Sequence, residues 1–207
     1  MDHCRPPRRG IIFILSGPSG AGKSTIWRAA LTSIEGLEAS ISLTTRAVRA
    51  DETDGVDYHF VSDEEFNRRV RHDELAEWAQ VFGACYGTPR GPLERAVAEG
   101  RDILLDIDIQ GARQLRRQYP ADAVTILVMT PSFEVLEQRL RQRGTETGAA
   151  ITRRLERAEE EASAYAEYDY LLINDDFGRS LACLRAMVEA ERCRVARLRE
   201  GCVPWKR

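Results

Sequence analysis

Lysine is nearly missing from this chain: of 30 basic residues, 28 are Arg and only Lys23 and Lys206 are Lys. Arginine serves almost wherever positive charge is needed, so a lysine that persists asks for a reason. Cysteine is sparse too. Its five copies (Cys4, Cys85, Cys183, Cys193, Cys202) are odd in number and lack metal-ligand spacing, and a reduced, cytoplasmic compartment fits them best. The apolar run "IIFIL" at 11–15 is too short for a signal-peptide core and far too short for a membrane span. Neither sign of charge dominates: the formal net charge of −3 argues against a general nucleic-acid or membrane binder. There is no internal repeat and no low-complexity linker. What remains is 207 residues, 43% hydrophobic and 30% charged, enough for one well-cored globular domain with room for inserted lobes.

The first ten residues, "MDHCRPPRRG", are basic and contain Pro6-Pro7; they read as a loose, solvated arm. Directly after the apolar run stands "GPSGAGKST", residues 17–25. Gly17 and Gly22-Lys23-Ser24 satisfy the full phosphate-loop pattern, between a strand-like segment and a helical one. Across Gly17, Pro18, Ser19, Gly20, Ala21, Gly22 and Thr25, glycines would let backbone N–H groups converge on phosphate oxygens. The next helix would point its positive end at them. Lys23 should bridge terminal phosphates, where a compact ammonium cannot be replaced by a planar guanidinium, and the Ser24 hydroxyl should reach Mg²⁺.

Three further apolar runs look like buried strands: 102–108, 123–129 and 170–174. Helical patterns lie at 22–34, at 109–118, after Thr130-Pro131, and as one long amphipathic stretch over 178–200. Strands alternating with helices predict an α/β fold, a parallel sheet covered on both faces. Residues 40–90 break the rhythm and read as a mixed α/β insert. Within it "SDEE" at 62–65 suggests a capping box, with Val61 and Phe66 as its staple. A second, arginine-rich insert spans about 139–167, with a helix through Ile151, Leu155, Ala158, Ala162 and Tyr165. The expected organisation is a core of 11–39, 91–138 and 168–207, one lobe of 40–90 and a lid of 139–167.

Other residues carry chemistry less uniquely. "ILLDID" is an apolar strand ending in acid; Asp106 could act on Mg²⁺ through water, or the two acids could merely cap the next helix. Arg46 and Arg49 could converge on one phosphate, or be a solvated pair. Glu77, Tyr86 and Thr88 sit in what is, in isolation, an ordinary half-buried strand pair. The arginines of "RLRQRG" and "TRR" are by default a solvated helical face, yet on a lid they suit closure over a transferring phosphoryl group.

Taken together, "GPSGAGKST", "SLTTRAVR", "DYHF", "EWAQVFG…YGT", "LDIDIQGA", "RLRQRGTE" and "INDDF" occur in the order and spacing of guanylate kinases. The chain resembles that family from about Ile11 to Arg197. The resemblance implies a P-loop NTPase-type fold and Mg²⁺-dependent phosphoryl transfer from ATP to GMP. It implies that Arg46, Arg49, Tyr58 and Tyr86 hold the GMP phosphate, and that Ser42, Glu77, Thr88 and Asp108 read guanine. Arg139, Arg143 and Arg154 match the lid-side arginines, and Asn174 and Asp175 fall where the adenine pocket is lined. On this reading the Thr88 hydroxyl would donate to guanine O6. Val48 stands where the family often has Pro, Cys85 where Tyr or Asn is frequent, and Thr88 where Ser is common; none removes a charge or a donor.

Two other readings compete. A kinase for another small phosphorylated acceptor would not need Glu77 and Thr88 together with Arg46 and Arg49. A non-catalytic guanylate-kinase-like module that binds phosphoproteins would not need Lys23 and Ser24.

Overall fold

The computed structural model describes residues 7–49, 52–142, 148–199 and 201. In chain order the elements are β1 (Ile12–Ser16), α1 (Lys23–Ser33), β2 (Leu37–Ala39), β3 (Leu43–Thr44), β4 (His59–Phe60), α2 (Asp63–Arg71), β5 (Leu75–Val81), β6 (Ala84–Pro89), α3 (Arg90–Glu99), β7 (Asp102–Asp106), α4 (Ile109–Gln118), β8 (Ala123–Met129), α5 (Phe133–Gln142), α6 (Gly148–Ser163), β9 (Tyr170–Ile173) and α7 (Phe177–Arg192). The α/β expectation holds. Five strands form a wholly parallel sheet in the order β2-β7-β1-β8-β9.

The period-2 geometry of β1 explains both layers. Phe13 and Leu15 pack one way, against Ile26 and Ala30 of α1 and Leu184 and Val188 of α7. Ile12 and Ile14 pack the other way, against Leu93, Ala96 and Val97 of α3 and Ala112 and Leu115 of α4. Each fully buried Leu or Ile contributes about 1.5–3 kcal/mol to this core.

The strands β3 to β6 build a second, four-stranded sheet in the order β4-β3-β6-β5. Leu43, Phe66 and Leu75 form its small core, with Val61 and Val70 packed against them. The predicted capping box is half formed. Ser62 Oγ accepts from the Glu65 N–H at 3.2 Å, but the Glu65 carboxylate turns to Arg68 and Arg69 instead of back to Ser62. The smaller sheet is tied to the larger domain by a reciprocal pair. The Trp78 N–H donates to Gln114 Oε1 at 3.2 Å, and Gln114 Nε2 donates to the Trp78 carbonyl at 2.7 Å. The helices α5 and α6 pack through Leu136, Leu140, Ile151 and Ala158.

Three expectations need correction. Residues 7–10 of the supposed loose arm are docked: Arg8 makes a two-pronged bond to the buried Asp102 at 2.6 Å, and Arg9 pairs with Asp122 at 2.7 Å. The long pattern over 178–200 is not one helix. It stops at Arg192, a buried side chain held by Asp102 at 2.8 Å and by the Glu35 carbonyl; a 3₁₀ turn at Val195–Arg197 follows, anchored by the buried Arg197–Glu191 pair at 2.6 Å. Polar anchors thus override the apolar period. Finally, α6 ends at Ser163, and Tyr165 begins a 3₁₀ turn with 64% of its surface exposed. The strand β2 and the helix α3 were not separately anticipated. No helix among the described residues is long and apolar enough to cross a membrane.

Candidate active site

Parallel strands end together, so the loops after β1 and β7 meet at one edge of the sheet. The turn after β1 needs glycine for two separate reasons. Gly17 has φ +131°, and a Cβ there would lie 2.2 Å from the Val128 carbonyl; Gly22 has φ +91°, and its Cβ would meet Asn174 Nδ2 at 2.3 Å. The loop opens into α1, whose N-terminus faces it. Lys23 Nζ donates to the carbonyls of Gly17 at 2.6 Å and Pro18 at 3.2 Å, which holds the ammonium over the loop. Ser24 Oγ donates to Asp106 Oδ2 at 2.9 Å, joining the two residues expected at a metal. Asp108, two residues on, does cap a helix: it accepts from the Gly111 N–H at 3.0 Å at the start of α4.

A cavity of about 240 Å³ lies between this edge and the smaller sheet. Gly17, Ser19, Lys23 and Asp106 form its floor; Glu77 and Tyr86 come from the smaller sheet, and Ser42 and Tyr58 from the residues just before β3 and β4; Asp108 and Arg154 complete it among the expected residues. Glu77 is 4% exposed. Burial, reinforced by the nearby Asp108 charge, pushes its carboxyl up to about 7, against a lowering by the bond from Thr88 Oγ1 at 2.7 Å. Thr88 does not line the cavity; its hydroxyl donates to Glu77 rather than standing free for a ligand. Gly111 explains how Glu77 fits, since a Cβ there would sit 2.4 Å from Glu77 Oε2.

Arg46 and Arg49 do converge, on a carboxylate. Glu52 takes both terminal nitrogens of Arg46, at 3.0 and 2.7 Å, accepts the Arg49 N–H at 3.0 Å and lies 3.9 Å from the Arg49 guanidinium. The hydrogen bond to Arg46, ahead of other influences, draws the Glu52 carboxyl below its ordinary range. Arg46 also donates to the Tyr86 hydroxyl at 3.3 Å and lies 5.6 Å from the centre of the Tyr58 ring. Arg49 opens onto an adjoining groove with Ser24, Ser42, Tyr58 and Asp106.

On the far side of the loop a shallower groove gathers Gly20, Gly22, Thr25, Arg139, Asn174 and Asp175, with Phe177 added. Asn174 Nδ2 donates to the Ala21 carbonyl at 2.6 Å, and Arg139 donates to the Asn174 carbonyl at 3.1 Å. Arg143 lies outside the described residues. Arg154 is hydrogen-bonded to Ser19 Oγ of the phosphate loop.

Sequence reasoning passed over Glu52, Phe82, Gly111, Arg157 and Glu161. Arg157 bonds Asp108 Oδ2 at 2.6 Å and Glu161 at 3.2 Å. Burial raises the Glu161 carboxyl, opposed by the charges of Lys23 and Arg157. Only the i, i+3 spacing of Arg154 and Arg157 could have hinted that both share one helix face.

A family model described as guanylate kinase matches residues 9–191. A guanylate kinase of Symbiobacterium thermophilum is 49% identical over 189 residues, 91% of this chain and 89% of that protein. One of Maricaulis maris is 47% identical over 201 residues, 97% and 90% of the two chains. The crystal structure of guanylate kinase from Anaplasma phagocytophilum superposes with a TM-score of 0.76 at 35% identity, covering 93% of this chain and 91% of that one.

Proposed function

The chain belongs to the guanylate kinase family, and from that premise we propose that it moves the γ-phosphoryl group of ATP onto GMP, with Mg²⁺, giving ADP and GDP. The observation that carries the acceptor assignment is Glu77: a buried carboxylate facing the same cavity as Lys23 and Asp106. Guanine presents two adjacent donors, N1–H and the 2-amino group, and a carboxylate can accept from both. Adenine offers an unprotonated N1 there and no 2-amino group, so Glu77 would receive nothing from the base and keep only the Thr88 hydroxyl.

Residues 40–90 act as the acceptor lobe, 139–167 as the lid, and 11–39, 91–138 and 168–207 as the core. A phosphate oxygen of GMP attacks the γ-phosphorus in line, the bond to the β–γ bridging oxygen breaks, and ADP leaves. Arg46, Arg49, Tyr58 and Tyr86 orient the acceptor phosphate, which must share Arg46 with Glu52. Ser42 and Asp108 complete the guanine side, with Thr88 acting through Glu77. Lys23 and the loop N–H groups hold the donor phosphates. Arg139, Asn174 and Asp175 line the adenine side, and Arg143 and Arg154 bring the lid's charge to the transferring group. Closure of lobe and lid excludes water from it.

Ser24 and Asp106 fit a hard divalent cation, since both offer oxygen and their oxygens lie 2.9 Å apart. No group of three or more His, Cys, Asp or Glu that could hold a metal is found among the described residues; phosphate oxygens and water would fill the remaining positions, as Mg²⁺ prefers. Ser24 would hold the ion directly and Asp106 through water, and the bound ion would neutralise charge on the terminal phosphates.

A coupled assay with ATP and a panel of GMP, AMP and a phosphorylated ribose tests the assignment. GMP should be preferred over AMP by about 10⁴ or more. Glu77→Gln should lower kcat/KM for GMP by roughly 10² to 10³ with ATP affinity almost unchanged. Lys23→Ala should lower kcat by roughly 10². Turnover of GMP by Glu77→Gln within about threefold of the parent would remove Glu77 from the pocket.

A further inference from the structure

Phe82 sits at the tip of the hairpin joining β5 and β6, where Val81 and Ala84 pair across a two-residue turn. Both central residues have positive φ, +49° for Phe82 and +85° for Gly83, as a type I′ turn requires. Asn, Asp or Gly suits that first position, and a bulky aromatic is an outlier there. The residue is also 59% exposed. Backbone conformation and solvent both disfavour a phenylalanine here, yet its ring has a definite set of neighbours.

Those neighbours belong to α6. The Arg154 guanidinium lies 5.0 Å from the ring centre and that of Arg157 lies 5.5 Å away, both within cation–π range. Each guanidinium then reaches a different part of the site: Arg154 the Ser19 hydroxyl on the phosphate loop, and Arg157 the Asp108 carboxylate. One side chain of the acceptor lobe therefore seats two arginines of the lid.

We propose that Phe82 is a positioning residue for Arg154, bringing its guanidinium to the transferring phosphoryl group when the acceptor lobe lies over the phosphate loop. This rests on the reading of Arg154 as a stabiliser of transferring charge. Arg157 steadies the arrangement by tying the same helix face to Asp108. The donor side then acquires a positive charge through a contact that the acceptor side supplies.

The test replaces the ring while respecting the turn. Phe82→Asn and Phe82→Gly both suit φ +49°, so the unfolding temperature should hold or rise. Each should lower kcat with saturating ATP and GMP by about tenfold, the scale of two such contacts. The dissociation constants of ATP and GMP should stay within about twofold of the parent. Phe82→Trp keeps an aromatic face and should retain kcat within about twofold. In an Arg154→Gln background, Phe82→Asn should cost nothing further. The proposal is overturned if Phe82→Asn and Phe82→Gly keep full kcat, or if the tenfold loss persists without Arg154. It is equally overturned if the loss appears as weaker GMP binding with kcat intact, which would place the ring on the base. A parent that phosphorylates some other acceptor, but not GMP, would instead sink the reading of the function.

Discussion

Thr88 Oγ1 donates to Glu77 Oε1 at 2.7 Å, and this bond opposes what burial does to the same carboxylate. The net result leaves the Glu77 carboxyl at about 7. On the proposed reading, guanine binding needs the ionised form. GMP affinity should therefore be nearly full at pH 8 and roughly tenfold weaker at pH 6. Calorimetric titration checks this, with Glu77→Gln showing what the GMP phosphate contributes by itself. Thr88→Val removes a bond that lowers the Glu77 pKa, so the midpoint of the affinity curve should move to higher pH. A midpoint that stays put would show the bond to be idle. For stability the raised pKa means that the contribution of Glu77 is full below its ordinary value of 4.5 and lost as pH rises through about 7. Relative to Glu77→Gln, the ligand-free parent should lose stability in denaturant titrations between pH 5 and pH 8.

Gly111→Ala should damage GMP recognition without touching the donor side. The added methyl would lie 2.4 Å from Glu77 Oε2, so the carboxylate must move. Overpacking of this kind costs about 1–3 kcal/mol, and KM for GMP should rise about tenfold or more while ATP affinity is unchanged. Equal losses for both nucleotides would point to a general disturbance of α4.

Asp106→Asn should appear in the metal dependence. Partners that act on a metal through water typically change its affinity by about 10–100-fold. The Mg²⁺ concentration for half-maximal rate should rise by that factor, with KM for GMP nearly constant. A variant with unaltered Mg²⁺ response would place Asp106 outside the metal site.

Asp102→Ala separates stability from function. Asp102 is 1% exposed and binds both Arg8 and Arg192, so its loss takes the shared carboxylate from two guanidiniums. Removing one member of a buried ion network costs about 3–5 kcal/mol. The denaturation midpoint should fall accordingly, while kcat of the folded protein holds. An unchanged midpoint would mean that Arg8 and Arg192 find other acceptors.

The phosphate loop and the core strands β1, β7, β8 and β9 were legible because their signals are local: an apolar run, followed at the loop by glycines and then a helix; the short β2 carries no such run. The helix α4 was readable over its full length, 109–118, from its period alone. The docked segment at residues 7–10 was not, because Arg8 is held by a residue 94 positions away, and nothing in "PPRRG" encodes that. The same distant aspartate anchors Arg192 and contributes to the early end of α7. In the site, each expected charge was visible as a residue type, but its partner was not. Glu52, which takes Arg46, reads as one acid among many in "ADETDG". Gly111 reads as a weak point in a helix, although its missing side chain is what admits Glu77. Thr88 carried the right hydroxyl for a different atom.

The reciprocal bonds between Gln114 and Trp78 have a kinematic consequence. They pin β5, the edge strand that carries Glu77, to α4, the helix that carries Gly111. The Arg46 turn follows β3, two places further out in the same sheet. If the lobe swings, β5 is its axle and the arginine turn is its rim. The walls around the base would keep their spacing through the stroke, while the groups for its phosphate travel the arc. On the proposed assignment, the base would be met by a fixed template and the phosphate by a moving one.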